Sequence, residues 1–398
     1  MLTIDNVYRA NNALKGVIRK TDVIHAPKLC EGVDLYLKTE NLQITGSFKV
    51  RGAYYKMTRL SDEEKARGVV ACSAGNHAQG VALAAKKNGI KAVICLPDGA
   101  PISKVEATKS YGAEVCLVEG VYDDAYQKAL SLRDEKGYTF LHPFDDEDVI
   151  AGQGTIALEL AEQISDLDAV LVPIGGGGLI SGIAYTIKTM NPHVKVYGVQ
   201  AKGAPSMKNA VVNGQVEELA AVSTIADGIA VKKPGNLTYQ LCRQYVDEIV
   251  TVSDDEISAA ILALMEKHKL VTEGAGAVAV AAAMFGKVDL KGKKAVCILS
   301  GGNIDVTILS RVISRGLIMS GRNCQLMIEL VDKPGQLKNV AQIIAELGGN
   351  VTSVRHERAN EGSDVNGCYL RIVLETRNFE HIQQIRKALK DFGFKLLD

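Results

Sequence analysis

Two rhythms of apolar residues divide the chain. From GVVACSAGN (68–76) to KKAVCILSGGN (293–303), short β-branched runs alternate with segments whose apolar residues return at helical spacing. GVVACSAGN reads as a strand running into a glycine-containing loop, and HAQGVALAAKKNGI as a helix that stops at Gly89. KAVICLP reads as a strand, ISKVEATKSYG as a helix, AEVCLVEG as a strand and YDDAYQKALSLRDEKG as a helix ending at Gly137. DAVLVPIGGGG, HVKVYGVQA and KKAVCILSGGN each run from an apolar segment into a loop. Strands alternating with helices predict an α/β fold whose parallel sheets are buried on both faces. In such folds ligands bind at the loops that leave the carboxyl ends of the strands.

Near residue 320 the rhythm changes. QLMIELVD alternates with period two, and KPGQLKNVAQIIAELGG reads as a helix opened by Pro334 and closed by glycine. NVTSVRHER and GCYLRIVLET read as two strands, followed by a helix from about 379 to 391 and a last strand in GFKLLD. The order βαββαβ predicts a small α+β unit of ferredoxin-like type. SRVISRGLIMSGRN, just before it, reads as the connection.

Composition narrows the class. A chain of 398 residues allows two or three domains at ~150 residues each. Apolar residues make up 47%, enough for a sizeable core. Lys plus Arg and Asp plus Glu are 46 each, so no basic excess points to nucleic acid or an anionic membrane. The eight cysteines form no CxxC pair and several sit in apolar runs, as small core residues of a reducing compartment do. The amino terminus lacks the pattern of a signal peptide, and no run approaches the ~18 apolar residues of a membrane span. A soluble, cytoplasmic protein is expected. The seven histidines are scattered and no HExxH or Cys/His cluster marks a metal site.

The chemistry concentrates in two places. Gly175, Gly176, Gly177 and Gly178 follow the strand AVLVPI and precede a helical stretch. Such a run lets backbone N–H groups converge on an anion at a helix N-terminus. A dinucleotide is disfavoured, because the next strand ends in Gln200 rather than an acid and the spacing is not GxGxxG. A P-loop is excluded, because no GK[ST] follows. One phosphomonoester is the expected occupant. The second place is GSFKVRGA (46–53), where Lys49 follows Phe48 in a glycine-flanked turn. A sheltered lysine becomes a nucleophile when desolvation lowers its pKa. A phosphate cradle with a sheltered lysine suggests pyridoxal phosphate.

With SAGNHAQG (73–80), GGGGL (175–179) and SGGN (300–303) in order after GSFKVRGA, the chain resembles the threonine/serine dehydratases, pyridoxal-phosphate enzymes built like tryptophan synthase β. The resemblance covers residues 1 to about 315. The C-terminal unit, with DKPGQL at 332–337, resembles an ACT domain. The implied organisation is a two-lobed fold type II catalytic region over 1–315 (small lobe about 50–150), a linker over 316–324 and an ACT regulatory domain over 325–398.

The resemblance implies roles residue by residue. Lys49 takes the Schiff-base position and also moves the substrate Cα proton. Phe48 flanks the cofactor ring or is simply core. Asn76 hydrogen-bonds the cofactor's phenolic oxygen. Ser73, Ala74, Gly75, Asn76 and His77 lie where the substrate carboxylate binds, with His77 alternatively a plain helix residue. Gly175–Gly178 and Leu179 hold the phosphate. Ser300 faces the pyridine nitrogen; a neutral hydroxyl there leaves the ring a weaker electron sink than an aspartate would, which favours rapid loss of a β-substituent. Glu273 is either a site residue or a helix-start acid. The implied reaction is elimination from L-threonine to 2-oxobutanoate and ammonia, and from L-serine to pyruvate. Asp332, Gly335, Leu337 and Asn350 would line an effector seam between paired ACT units, with isoleucine, valine or AMP as candidates and a homo-dimer or tetramer as the assembly. Isoleucine or valine would fit a biosynthetic role. Alternatives are a serine racemase, a β-replacement enzyme (disfavoured by Val50 and Arg51) or a non-catalytic amino-acid sensor.

Overall fold

The computed structural model describes residues 2–357 and 367–397. These fall into two compact units, Met1–Ile308 and Leu309–Asp398. Among the described residues no helix is long and apolar enough to cross a membrane.

The first unit holds two sheets. In the larger, the strands Asp34–Lys38, Lys294–Ile298, Ala169–Pro173, Lys195–Ala201 and Glu248–Val252 run parallel in that spatial order, and Val23–His25 joins the edge antiparallel to Asp34–Lys38. In the smaller, Glu114–Val118, Ala92–Pro97, Val69–Cys72 and Thr139–Phe140 are all parallel. The inner strands read as unbroken apolar runs because helices cover both faces: every residue of Ala169–Pro173 and of Val69–Cys72 is buried. Val170, Val172, Ile180 and Ile183 anchor the core of the larger sheet, and Ala71, Val81, Ile94 and Leu96 that of the smaller.

Helix ends follow local chemistry. The helix Asn76–Asn88 stops at Gly89, which adopts the left-handed conformation at φ +67° that a side chain disfavours. Ser253 and Glu256 form a reciprocal capping box on Asp254–His268.

The second unit contains a four-stranded antiparallel sheet in the spatial order Asn350–Glu357, Gly367–Glu375, Asn323–Val331, Lys395–Leu397, with the helices Gln336–Glu346 and Phe379–Asp391 in the expected chain order. Leu326, Ile328, Leu370, Ile372, Val340 and Ile385 make its core. The expected strand ends at Arg358 and Asp398 lie outside the described residues. Before this sheet, the segment expected as a connection is largely a helix, Val306–Met319, whose apolar residues recur at helical spacing.

Candidate active site

Chain pairing brings GSFK and SGGN together. Ser47 bridges Gly301, the Phe48 amide donates to the Ser300 carbonyl at 3.2 Å, and the Gly302 amide donates to the Gly46 carbonyl at 2.8 Å. Lys49 then opens the helix Lys49–Thr58. The neighbouring helix Asn76–Asn88 approaches at Gly80, where a Cβ would stand 3.0 Å from the Lys49 carbonyl carbon. Lys49 Nζ donates to the Pro143 carbonyl at 2.8 Å and lies 5.4 Å from the centroid of the Phe48 ring. Burial lowers its pKa to about 8, with the Glu273 carboxylate pulling the other way.

The four-glycine turn sits next to this amine. Gly177 takes φ +102° and caps the helix Gly178–Met190. A Cβ at Gly176 would fall 2.3 Å from Phe144 Cδ1, and one at Gly178 would fall 2.9 Å from Phe144 Cα. Phe144 therefore lies directly on the turn, and the preceding residue, Pro143, supplies the carbonyl that Lys49 holds. The lysine and the glycine turn flank one dipeptide step. Thr238 Oγ1 donates to the Gly176 carbonyl at 2.6 Å, and the Asp145 carboxylate accepts from the Asn236 and Thr238 amides at 3.0 and 3.1 Å. With carbonyl oxygens tied back, amides at the start of the helix can serve an anion. The Leu179 side chain packs into the core of the larger sheet, so only its backbone is available to the turn.

The segment 73–77 leaves the strand Val69–Cys72 and enters the helix Asn76–Asn88. Ser73 Oγ accepts from the Gly75 amide at 3.1 Å, folding the hydroxyl onto its own loop. Gly75 faces open space: a Cβ there meets nothing within 4 Å. His77 is buried and pairs through Nε2 with the Leu141 carbonyl at 3.0 Å. Burial lowers its pKa to about 3, with Lys49 adding to the effect, so the ring is neutral and tethers 141–144 to the helix. Asn76 Nδ2 donates to Glu273 Oε1 at 2.6 Å, and Asn76 Oδ1 accepts from Asn303 Nδ2 at 2.8 Å. Asn303 Nδ2 also donates to the Thr45 carbonyl at 2.7 Å. Ser300 is buried, its hydroxyl donating to the Ala275 carbonyl at 3.2 Å. Glu273 precedes the helix Gly274–Met284 and stands within Coulombic reach of Lys49, so it is a helix-start acid that also faces the candidate site. Burial pushes its pKa up to about 7, with the Asp227 carboxylate adding to the rise.

Beneath the start of the Lys49 helix lies a fully buried charge cluster. Arg51 Nε and Nη2 donate to the two Glu40 oxygens at 2.8 Å each, and Arg51 Nη1 donates to Glu159 Oε1 at 2.6 Å. Lys38 Nζ donates to Glu159 Oε2 at 2.5 Å and to the Thr21 carbonyl at 2.7 Å. Burial favours the neutral base, yet the Arg51 pKa is raised because the two carboxylates outweigh desolvation. The cluster fixes the helix two residues after Lys49.

The residues present fit a pyridoxal phosphate. A desolvated lysine amine, a glycine turn at a helix start that no Cβ could enter, and an amide and a hydroxyl held by their own partners converge on one end of the sheets. Sequence reasoning missed Pro143, Phe144 and Asn303. Asn303 ends the SGGN motif and was within reach of that reading; the 143–144 step carries no periodic signal.

In the second unit, Asp332, Gly335 and Leu337 border one cavity of about 440 Å³ at the carboxyl end of the strand Asn323–Val331. Asn350 does not join them. It starts the strand Asn350–Glu357, two strands away, at the other end of the sheet and donates from Nδ2 to Glu375 Oε2 at 2.8 Å.

The site and fold define a pyridoxal-phosphate enzyme, and the comparisons agree. The sequence model described as "Pyridoxal-phosphate dependent enzyme" matches residues 14–301, and that of the ACT domain matches residues 325–392. The chain belongs to the pyridoxal-phosphate dependent enzyme family and carries a C-terminal ACT domain. It is similar to the L-threonine ammonia-lyase of Thermotoga maritima, at 49% identity over 100% of this chain and 99% of the relative. Among solved structures it resembles the processed form of threonine deaminase isoform 2 from Solanum lycopersicum, at TM-score 0.75 and 38% identity over 79% of this chain and 90% of that one. Maize serine racemase is also similar, at TM-score 0.75 and 35% identity over 80% and 98%.

Proposed function

We infer that the protein is a threonine ammonia-lyase. It converts L-threonine to 2-oxobutanoate and ammonia, and L-serine to pyruvate and ammonia, under the control of an amino-acid effector at the ACT domain. The observation that carries the reading is the desolvated Lys49 amine, held one residue from the phenylalanine that lies on the four-glycine turn. The full-length likeness to a named L-threonine ammonia-lyase, ACT unit included, supports elimination over racemisation.

Pyridoxal phosphate, when bound, supplies the electron sink that makes the substrate Cα proton acidic. The chain supplies the rest. The glycine turn and the helix start at Gly178 would hold the phosphate. Amides of 73–77 receive the substrate carboxylate, which orients the Cα–H bond toward Lys49. Lys49, with a pKa near working pH, takes that proton. Asn76, pinned by Asn303 and Glu273, offers the second hydrogen of its Nδ2 to the cofactor's oxygen. Ser300, its hydrogen on the Ala275 carbonyl, would face the ring nitrogen with a neutral hydroxyl oxygen rather than a carboxylate, which would favour departure of the β-hydroxyl as water. The released enamine hydrolyses to the oxo acid and ammonia.

The test is an oxo-acid assay with threonine and serine, with and without isoleucine, valine and AMP. Oxo acid from threonine, altered by one of the three additives, is the expected result. D-serine as the main product would replace this reading with a racemase. A colourless protein that ignores added cofactor would replace it with a sensor. Two ACT units pairing edge to edge would give the effector site and a homo-oligomer; Asp332, Gly335 and Leu337 belong to that surface.

A further inference from the structure

Three side chains that are far apart in sequence meet at one corner of the C-terminal sheet. Asp332 follows the strand Asn323–Val331, His356 lies near the end of Asn350–Glu357, and Cys368 lies at the start of Gly367–Glu375. Pairing sets the corner. Cys368 stands opposite Leu330, and His356 opposite Leu370. Cys368 and Leu370 are both buried on the core face, and a residue directly across a strand pair shares its neighbour's face, which puts His356 there too. One carboxylate oxygen, one imidazole nitrogen and the thiol sulfur all lie within 4.8 Å of one another. His356 Nε2 and Asp332 Oδ1 are 4.0 Å apart.

We propose that Asp332, His356 and Cys368 bind one borderline divalent cation, with Zn²⁺ the best fit. The donor set is the argument. A thiolate with an imidazole selects zinc-like ions over Mg²⁺ or Ca²⁺, which require more oxygen ligands. Metal–ligand bonds of ~2.0–2.3 Å in a tetrahedron put neighbouring donors ~3.3–3.8 Å apart. The widest donor separation therefore needs to contract by at most ~1–1.5 Å. His356 and Asp332 have side chains 40% and 36% exposed, so they can make that movement by rotation while Cys368 stays in place. The charges also balance: carboxylate and thiolate neutralise the dication, and the thiol proton passes to solvent on binding. Three protein ligands leave a fourth position open toward the cavity that Gly335 and Leu337 border. The site does not depend on the identity of any amino-acid effector.

The test uses the full-length, cofactor-loaded protein, stripped with a chelator and reloaded with Co²⁺, then titrated with Zn²⁺ against a chromophoric chelator. One ion per chain is expected, with a thiolate-to-cobalt charge-transfer band in the near ultraviolet. Cys368→Ser should abolish the band. His356→Ala should weaken Zn²⁺ binding at least ~100-fold, more than the loss of an outer-shell partner causes. Both variants should keep metal-free oxo-acid production, and His356→Ala, at a partly exposed side chain, should also keep the melting temperature. Should Cys368→Ser fail to fold, His356→Ala and Asp332→Asn carry the same affinity readout. Metal content unchanged in these variants, or Co²⁺ lost through a desalting column without a thiolate band, overturns the site.

Discussion

Asn76 Nδ2 and Glu273 Oε1 are 2.6 Å apart, and the amide is oriented from its other side by Asn303. This places a carboxyl of raised pKa behind the residue assigned to the cofactor's oxygen. Gly301 is what admits it: a Cβ there would stand 2.3 Å from Glu273 Oε1.

The raised pKa makes a signed prediction for Glu273→Gln. The carboxyl titrates near 7 in the folded state, above its ordinary 4.5. The folded protein thus holds the proton more tightly, and stability falls as pH rises from about 4.5 to about 7. At 1.36 kcal/mol per pKa unit the penalty above neutrality is on the order of 3 kcal/mol. Glutamine stays neutral and keeps an acceptor for Asn76. Denaturant melts should show no pH-dependent advantage of the variant near pH 4.5 and a growing one toward pH 7.5. A difference that does not change with pH would contradict the assigned burial.

Two glycines separate fold from binding. Gly176→Ala drives a methyl into the Phe144 ring and should weaken cofactor retention by ~10-fold or more, since overpacking costs about 1–3 kcal/mol. Gly75→Ala adds a methyl to open space. It should melt like the parent and retain cofactor, yet raise KM for threonine if amides of 73–77 hold the carboxylate. Equilibrium dialysis for the cofactor and steady-state kinetics read the two effects apart; an unchanged KM in Gly75→Ala would remove that loop from substrate binding.

Much of this site was legible because its parts are backbone features. Gly89, Gly137 and the run 175–178 mark where strands and helices end, and the apolar runs between them have no other use than a buried sheet. Lys49 stood out because a charged residue rarely sits between Phe48 and a glycine-flanked helix start. What the pattern did not carry is long-range pairing. Glu40, Glu159 and Lys38 carry no signal in the sequence, and only the packing of two helices against a strand buries them together with Arg51. Pro143 and Phe144 sit in an aperiodic turn whose role arises from the glycines that it meets. The ACT resemblance implied Asn350 on the effector surface, but strand direction carries it to the opposite end of the sheet from Asp332. The same register brings His356 and Cys368 to that end, although nothing in their spacing announces it.

The charge cluster under Lys49 predicts a sharp contrast between two variants. Arg51→Ala leaves Glu40 and Glu159 buried with fewer compensating donors, a loss of about 3–5 kcal/mol. Arg51→Lys keeps the charge but cannot reproduce the paired contacts to both carboxylates. It should fold, lose less stability, and lower kcat more than it changes KM, because the helix that carries the reactive amine is no longer held at a fixed angle. Chemical denaturation and a kcat-against-KM comparison test both; wild-type kcat in Arg51→Lys would show that the cluster serves stability alone.

Lys49 links the electrostatics to cofactor capture. Only the unprotonated amine attacks an aldehyde, and burial lowers the Lys49 pKa to about 8 from its ordinary 10.5. At pH 8 about half of the chains should present a reactive amine, against well under one in a hundred for an exposed lysine. The rate at which the apoprotein gains visible absorbance on mixing with pyridoxal phosphate should therefore rise through about pH 8 and level off by about pH 9. A rate still climbing past about pH 10 would mean that the amine is solvated. Lys49→Arg stays charged throughout; it should never attach the cofactor, and should lose at least ~10³-fold in activity. Glu273 sharpens the test. Its carboxylate raises the Lys49 pKa against the desolvation that lowers it, so Glu273→Gln should move the midpoint of capture to lower pH. A midpoint that moves upward instead would show that the two groups do not share one field.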